Sequence, residues 1–295
     1  MQSRRHDLQG LVYGLLGVIG FSITLPATRA AVASLDPVIL GLGRALIAAA
    51  LAAPLLYFTK QQAPTPKQWR GLGLVVIGNI IGFPLLVTWA MRLVPASHGA
   101  VVLGLLPLAT AVASYFRAHE KPSVTFWIAS GIGSLAVTIF SLRKGSTNFH
   151  VADLAVVGAV AFTALGYAEG GRLARDMGGW QVICWALVLS VPFLLIPVSV
   201  AVWTHGIQAT PTSWMGFAYV SLVSMFLAFF AWYRGLAMGG VAKISQLQLL
   251  QPFMTLGFSS LLLHEQFGWD ALLTATIVAG SIFICRRTQV VTATR

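Results

Sequence analysis

Apolar stretches of about twenty residues, the length needed to cross a bilayer as a helix, recur along this chain with little polar sequence between them. That recurrence constrains the fold more than any motif. In hydrocarbon, a chain must satisfy its backbone hydrogen bonds internally, so an apolar run of this length reads as a transmembrane helix. Ten such runs are present: 8–28, 38–58, 72–92, 97–116, 123–142, 152–173, 181–203, 213–235, 243–263 and 269–286. The linkers are short and broken by Pro or Gly, most clearly at Ala63-Pro64-Thr65-Pro66. With 57% hydrophobic and only 9% charged residues, no water-soluble domain fits between the runs. The expected fold is all-α, a polytopic membrane protein of ten transmembrane helices solvated by the lipid bilayer.

A net charge of +11 would suit nucleic acid only if the cations shared a face. They stand singly or in pairs between apolar runs, so they read as topology signals and no nucleic-acid partner is expected. If the N-terminus is cytoplasmic, fourteen Lys and Arg fall in inside loops and termini and four outside (Arg29, Arg92, Arg143, Lys144), with Arg44 inside a helix. The asymmetry predicts a multi-pass protein of the cell inner membrane with cytoplasmic N- and C-termini. Arg4 and Arg5, a following apolar run and Ala31-Val32-Ala33 outline a signal peptide. Arg29 interrupts that outline, and the segment is expected to remain as the first helix. Cys184 and Cys285 lie in separate apolar runs and read as core residues.

The chain also repeats. Pro107 precedes Glu120 of His119-Glu120 by 13 residues, and Pro252 precedes Glu265 of His264-Glu265 by 13. An offset of 145 superposes both pairs and sets His98 on Lys243; an offset of 143 sets Arg29 on Arg172. The expected units are two five-helix repeats, 8–142 and 152–286. An odd helix number makes the second unit enter the membrane in the opposite sense, so the repeats are expected to be inverted, the arrangement that supports alternating access.

These residues resemble the drug/metabolite transporter superfamily, in its ten-helix EamA-type branch. The resemblance rests on Leu106-Pro107 leading to His119-Glu120, on Gln251-Pro252 leading to His264-Glu265, on Leu93-Val94-Pro95-Ala96 and on Arg44. It implies secondary transport or export of small-molecule solutes such as amino acids and their relatives, nucleobases, sugars or drugs.

Candidate substrate-binding residues follow from polarity at membrane depth. Glu169, near Tyr167, is an acidic residue within a helix and a candidate for carrying protons or pairing with a substrate cation. Its other reading is an ion pair with Arg172 three residues on. Ser245, Gln248 and Gln251 form a polar stripe at three-residue spacing that either lines a cavity or bonds to neighbouring helices. Asn79, with Ser221 and Ser224 at a similar depth in the second half, divides between the same two readings. Trp89, Trp232 and Tyr233 lie toward segment ends, where rings anchor at the interface or stack on solute. Arg44 is expected to snorkel or bond helix-end carbonyls, and Glu120 and Glu265 to cap or tether loops. Pro107 and Pro252 are the candidate hinges.

No catalytic, metal or cofactor constellation emerges. His264-Glu265 lacks a second His at zinc spacing, and no phosphate-cradling Gly-x-x-x-x-Gly-Lys loop occurs. The chain is therefore read as a non-enzyme without cofactors, its oligomeric state open. The alternative is a non-transporting membrane sensor or assembly subunit that keeps a transporter fold.

Overall fold

The computed structural model describes residues 2–93, 103–144, 151–263, 269–288 and 290–292. His98, Pro95 and the His264-Glu265 pair lie outside the described residues. Ten helical rods are assembled from those described, several of them in pieces. Helix 1 runs Gln2–Ser22 and continues as Thr24–Val32; helix 2 is Pro37–Phe58. Helix 3 comprises Pro66–Val75, a π-helical Val76–Gly82 and Phe83–Leu93. Helix 4 is described as Leu106–Arg117, helix 5 as Val124–Lys144 and helix 6 as Val151–Met177. Helix 7 is Gly179–His205, and helix 8 joins Pro211–Ala218, a π-helical Tyr219–Leu227 and Ala228–Gly239. Helix 9 joins Val241–Ser245, a 3₁₀ turn Gln246–Leu250 and Gln251–Leu263; helix 10 is Trp269–Arg287.

Among the described residues, six helices are long and apolar enough to cross a membrane: Asp7–Val32, Pro37–Phe58, Pro66–Leu93, Leu154–Met177, Gly179–His205 and Pro211–Gly239. Large apolar side chains such as Phe193 and Ile196 are exposed on the outside of the bundle. In water that surface would be costly, whereas lipid solvates it. The all-helical expectation needs one correction. Glu120–Pro122 (β1) pairs antiparallel with Val290–Thr292 (β2), clipping the tail to the loop between helices 4 and 5. The end of the bundle carrying this pair is called the ribbon face below.

The two halves share local details that fix helix starts and irregularities at matching places. Helix 3 starts at Thr65-Pro66 and helix 8 at Thr210-Pro211; each Thr side chain accepts a hydrogen bond from the amide three residues on, at Gln68 and Ser213. Proline at the first helical position lacks an amide that would have gone unbonded there, so each pair starts a helix without loss. The π-helical turns follow at corresponding depths. Packing has the same correspondence. Helix 1 lies on helix 8 and helix 6 on helix 3, helix 2 on helix 7, helix 5 on helix 10, and helices 4 and 9 on helices 6 and 1 respectively.

Glycines set the closest crossings. A Cβ on Gly235 would come within 2.6 Å of the Gly14 amide nitrogen, and one on Gly10 within 2.7 Å of the Gly239 nitrogen, so helices 1 and 8 meet backbone to backbone. Gly78 and Gly166 perform the same service for helices 3 and 6, where a Cβ on Gly78 would lie 3.0 Å from the Gly166 Cα.

Candidate functional site: a buried polar and aromatic cluster

Tyr167 of helix 6 is the centre of the arrangement, because rings from two other helices converge on it. Its ring centroid is 5.3 Å from that of Trp232 and 6.1 Å from that of Phe229, both on helix 8, and 6.4 Å from that of Phe21 on helix 1. Phe21 in turn packs edge-on against Phe229 and Trp232 at 5.1 and 6.0 Å. All four side chains are buried. The Tyr167 hydroxyl approaches the Gln248 side-chain amide on helix 9, without a hydrogen bond forming to Gln248 Oε1, and sits within electrostatic reach of Arg44 on helix 2.

Three polar atoms around this tyrosine are buried without a hydrogen-bond partner: Arg44 Nε, Trp232 Nε1 and Gln248 Oε1. Buried polar groups in folded proteins are overwhelmingly paired, so a cluster of orphans of both donor and acceptor type is informative. The expectation for Arg44 is corrected here. Only 3% of it is exposed, and it makes no hydrogen bond or ion pair among the described residues. It neither snorkels nor bonds helix-end carbonyls, because it sits about 10 Å inside helix 2 at 1.5 Å per residue and is buried within the bundle.

The polar stripe of helix 9 divides. In a 3₁₀ turn residues three apart eclipse one another, and the Gln246–Leu250 turn aligns Ser245, Gln248 and Gln251 in this way. Ser245 bonds the Ala242 carbonyl at 3.0 Å, and the Gln246 amide donates to the Pro107 carbonyl at 3.3 Å while its Oε1 accepts from Ser130 at 2.9 Å. Ser245 also reaches the Pro107 carbonyl at 3.5 Å, so Ser245 ties helix 9 to helix 4 and Gln246 ties it to helices 4 and 5. Gln251 donates to the Phe21 carbonyl at 3.3 Å, at the edge of the aromatic cluster. Pro107 and Pro252 each occupy the second position of a helical segment that follows a break, the turn at Gly104–Leu105 and the 3₁₀ turn respectively.

Asn79, on the π-helical turn of helix 3, donates to the Tyr233 hydroxyl at 2.7 Å and leaves its Oδ1 without a partner. It packs on Gly166, one residue before Tyr167. Trp89 stands apart from the cluster and is 41% exposed, the position of an interfacial ring. Ser221 bonds its own helix at Phe217, and Ser224 bonds Thr24 at 2.9 Å.

Glu169 lies toward the ribbon face and is fully buried. Arg117 of helix 4 donates to its Oε2 at 3.0 Å, and Arg172 donates to its Oε1 at 2.6 and 3.3 Å. The carboxylate therefore meets two guanidinium groups, including the Arg172 neighbour read from the sequence. Nearby, Glu120 accepts from the Val241 and Ala242 amides at 2.9 and 2.7 Å, capping the start of helix 9, and also pairs with Arg175. At the opposite face Arg29 donates to the Met91 carbonyl and, with Arg92, Val32 and Ala33, lines a cavity of ≈ 260 Å³. Among the described residues no cluster of His, Cys, Asp and Glu could hold a metal.

The EamA-like transporter family model matches this chain twice, at residues 8–142 and again at 150–287. The chain belongs to the EamA-like transporter family. It is 44% identical over 286 residues to the uncharacterized transporter YdeK of Bacillus subtilis (strain 168), covering 94% of this chain and 97% of that one. A second B. subtilis relative, the uncharacterized transporter YoaV, is 24% identical over 93% of this chain and 95% of its own length. One solved crystal structure, 15% identical, superposes with a TM-score of 0.76 over 94% of this chain and 98% of the other, so the fold recurs at low identity. Family membership and the relatives' names support a membrane transporter, each half of which matches the family model. Sequence reasoning missed Arg44, Phe21 and Phe229 at this site and left Trp232 open between an interfacial anchor and a solute-stacking ring. The signal within reach was Arg44 itself, a fixed charge inside an apolar helix with no carboxylate three or four residues away.

Proposed function

We propose that this protein is a secondary transporter that exports small metabolites by alternating access, with substrate held in the chamber around Tyr167. The observation that carries the reading is the trio of buried, unpartnered polar atoms, Arg44 Nε, Trp232 Nε1 and Gln248 Oε1, enclosed by rings from different helices. A site shaped this way offers hydrogen bonds at one side and apolar contact at the other, as small-molecule sites commonly do. Gln251 and Asn79 border it.

The units 8–142 and 152–286 are read as inverted repeats. Support comes from the matched Thr-Pro starts, the matched π-helical turns, the reciprocal packing of helices, and five helices per unit. The excess of Lys and Arg in alternate loops supports a cytoplasmic ribbon face and cytoplasmic termini, in a cell inner membrane. Pro107 and Pro252, each just after a helix break, serve as the paired hinges. Glu169 and Glu120 act as clasps that hold the ribbon face closed through Arg117, Arg172 and Arg175, a role that replaces the proton-carrier reading of Glu169. If protons drive the cycle, another group accepts them.

The test is counterflow of labelled solutes into proteoliposomes loaded with the unlabelled compound, with and without a pH gradient. Saturable exchange that is lost when Tyr167 and Trp232 are replaced by Ala supports the reading. Absence of exchange for amino acids, organic acids, sugars, nucleobases and cationic drugs alike would overturn it and leave a non-transporting sensor or assembly subunit.

A further inference from the structure

We infer that Arg44 receives a carboxylate of the transported solute, so that the chamber selects anionic or zwitterionic compounds with an apolar or aromatic body over cationic and neutral ones. This rests on the transport reading above and narrows it to a substrate class. The juxtaposition behind it is a guanidinium fixed inside the bundle, next to an aromatic enclosure whose own polar atoms are unpaired.

A guanidinium keeps its charge in nearly every protein environment. Burying one without an anion is among the costlier choices a membrane protein can make. Among the described residues the usual remedies are absent at Arg44. The salt bridges among the described residues use Arg117, Arg172, Arg175 and His205, on Glu169, Glu120 and Asp36, and none reaches helix 2 at this depth. Glu169, two residues beyond Tyr167, already carries two arginines, so it does not neutralise a third. The Tyr167 hydroxyl stands within electrostatic reach of Arg44 but is a neutral partner. No anion for Arg44 is found among the described residues, which leaves a place for a solute carboxylate beside Arg44 and the aromatic cluster.

The planar fork of a guanidinium matches the two oxygens of a carboxylate. Trp232 Nε1 adds a second donor, suited to the same carboxylate or to a carbonyl oxygen next to it. Gln248 Oε1 is an acceptor without a donor, which suits an ammonium or hydroxyl on the adjacent carbon. Phe21, Phe229 and the Tyr167 ring leave the remainder of the solute an apolar wall. Paired donors and an acceptor against an aromatic wall fit an apolar α-substituted carboxylic acid. A cationic drug would meet Arg44 with like charge.

The experiment compares counterflow of four labelled probes in proteoliposomes holding the full chain: phenylalanine, phenylpyruvate, phenylalanine methyl ester and phenethylamine. The two carboxylates are expected to exchange at least about tenfold faster than the ester and the amine, the factor a charge-assisted contact confers. Arg44→Lys should retain the preference in weakened form, and Arg44→Gln should abolish it while amine exchange stays level or rises. The wild-type comparison stands even where a variant fails to fold. Equal exchange of all four probes, or an unchanged acid preference in a folded Arg44→Gln protein, overturns the inference and leaves the transport reading intact. No exchange of any probe by wild type, combined with exchange of a cation, sugar or nucleobase, also overturns the inference alone. Silence toward every solute removes both.

Discussion

Replacing Glu120 by Gln tests the idea that the start of helix 9 is held chiefly by this one carboxylate. In the native protein both oxygens are used: the Val241 amide reaches Oε1 at 2.9 Å and the Ala242 amide reaches Oε2 at 2.7 Å. Glutamine keeps one carbonyl oxygen and turns an NH₂ toward the other backbone donor. That buried N–H loses its acceptor, at about 1–3 kcal/mol. The formal charge at the helix start disappears, a further loss of about 0.3–1 kcal/mol. Arg175 is part-exposed, with 28% of its side chain accessible, so the broken ion pair adds only about 0–1 kcal/mol. The expected destabilisation is about 1–5 kcal/mol, or a fall in Tm of roughly 3–20 °C at about 2–4 °C per kcal/mol. Intrinsic tryptophan fluorescence during a thermal ramp, with the protein in one detergent throughout, measures it. The same reasoning sets an order: Arg175→Gln leaves both amide contacts in place and must cost less than Glu120→Gln. If the arginine variant melts as low as or lower than the glutamate variant, the cap is not the dominant contact and the reasoning fails.

Three further outcomes are expected. Glu169→Gln should lower thermal stability by about 2 kcal/mol, less than for a sealed ion pair because Arg117 and Arg172 are 42% and 35% exposed at their side chains and regain water. It should also leave any pH dependence of solute exchange unchanged; a flattened pH profile would restore it as a proton carrier. Gly170→Ala sets a methyl against the Tyr233 ring and should cost about 1–3 kcal/mol, whereas Gly131→Ala, with nothing within 4 Å of the new carbon, should be neutral or stabilising by about 0.5–1 kcal/mol in the same melting assay. Cys184 and Cys285 are both fully buried, so maleimide should modify neither in the folded protein and both after denaturation; rapid labelling of either at native conditions contradicts the packing around it.

The helices could be read in the sequence because the signal is local: an apolar run of sufficient length has one way to satisfy its backbone in lipid. The duplication was legible for a similar reason, since Pro107 and Pro252 punctuate both halves at one spacing. Thr65-Pro66 and Thr210-Pro211 carry that same 145-residue spacing, but a Pro-rich linker such as Ala63-Pro64-Thr65-Pro66 reads as a loop, which masks its last two residues as a helix start. The π-helical turns left no trace in composition. Neither did the site. Whether Arg44 meets lipid headgroups or the bundle interior depends on which way helix 2 is rotated, which neighbours decide. Trp232 near a segment end looks like an interfacial anchor until helices 1 and 6 are seen to cover it. Glu169 drew attention as an intramembrane acid, yet Arg117, the partner that most limits its freedom, is 52 residues away in the chain.

The widened turns of helices 3 and 8 also decide how two seams of the bundle are held. Each falls at a matching depth in its helix. The turn in helix 3 presses Asn79 and Gly78 onto helix 6, and the turn in helix 8 brings Tyr219 to the Gly20 carbonyl and Ser224 to Thr24, both on helix 1. Straightening either turn would swing its polar side chains off the neighbouring helix, so each seam depends on a backbone irregularity as much as on the side chains that cross it.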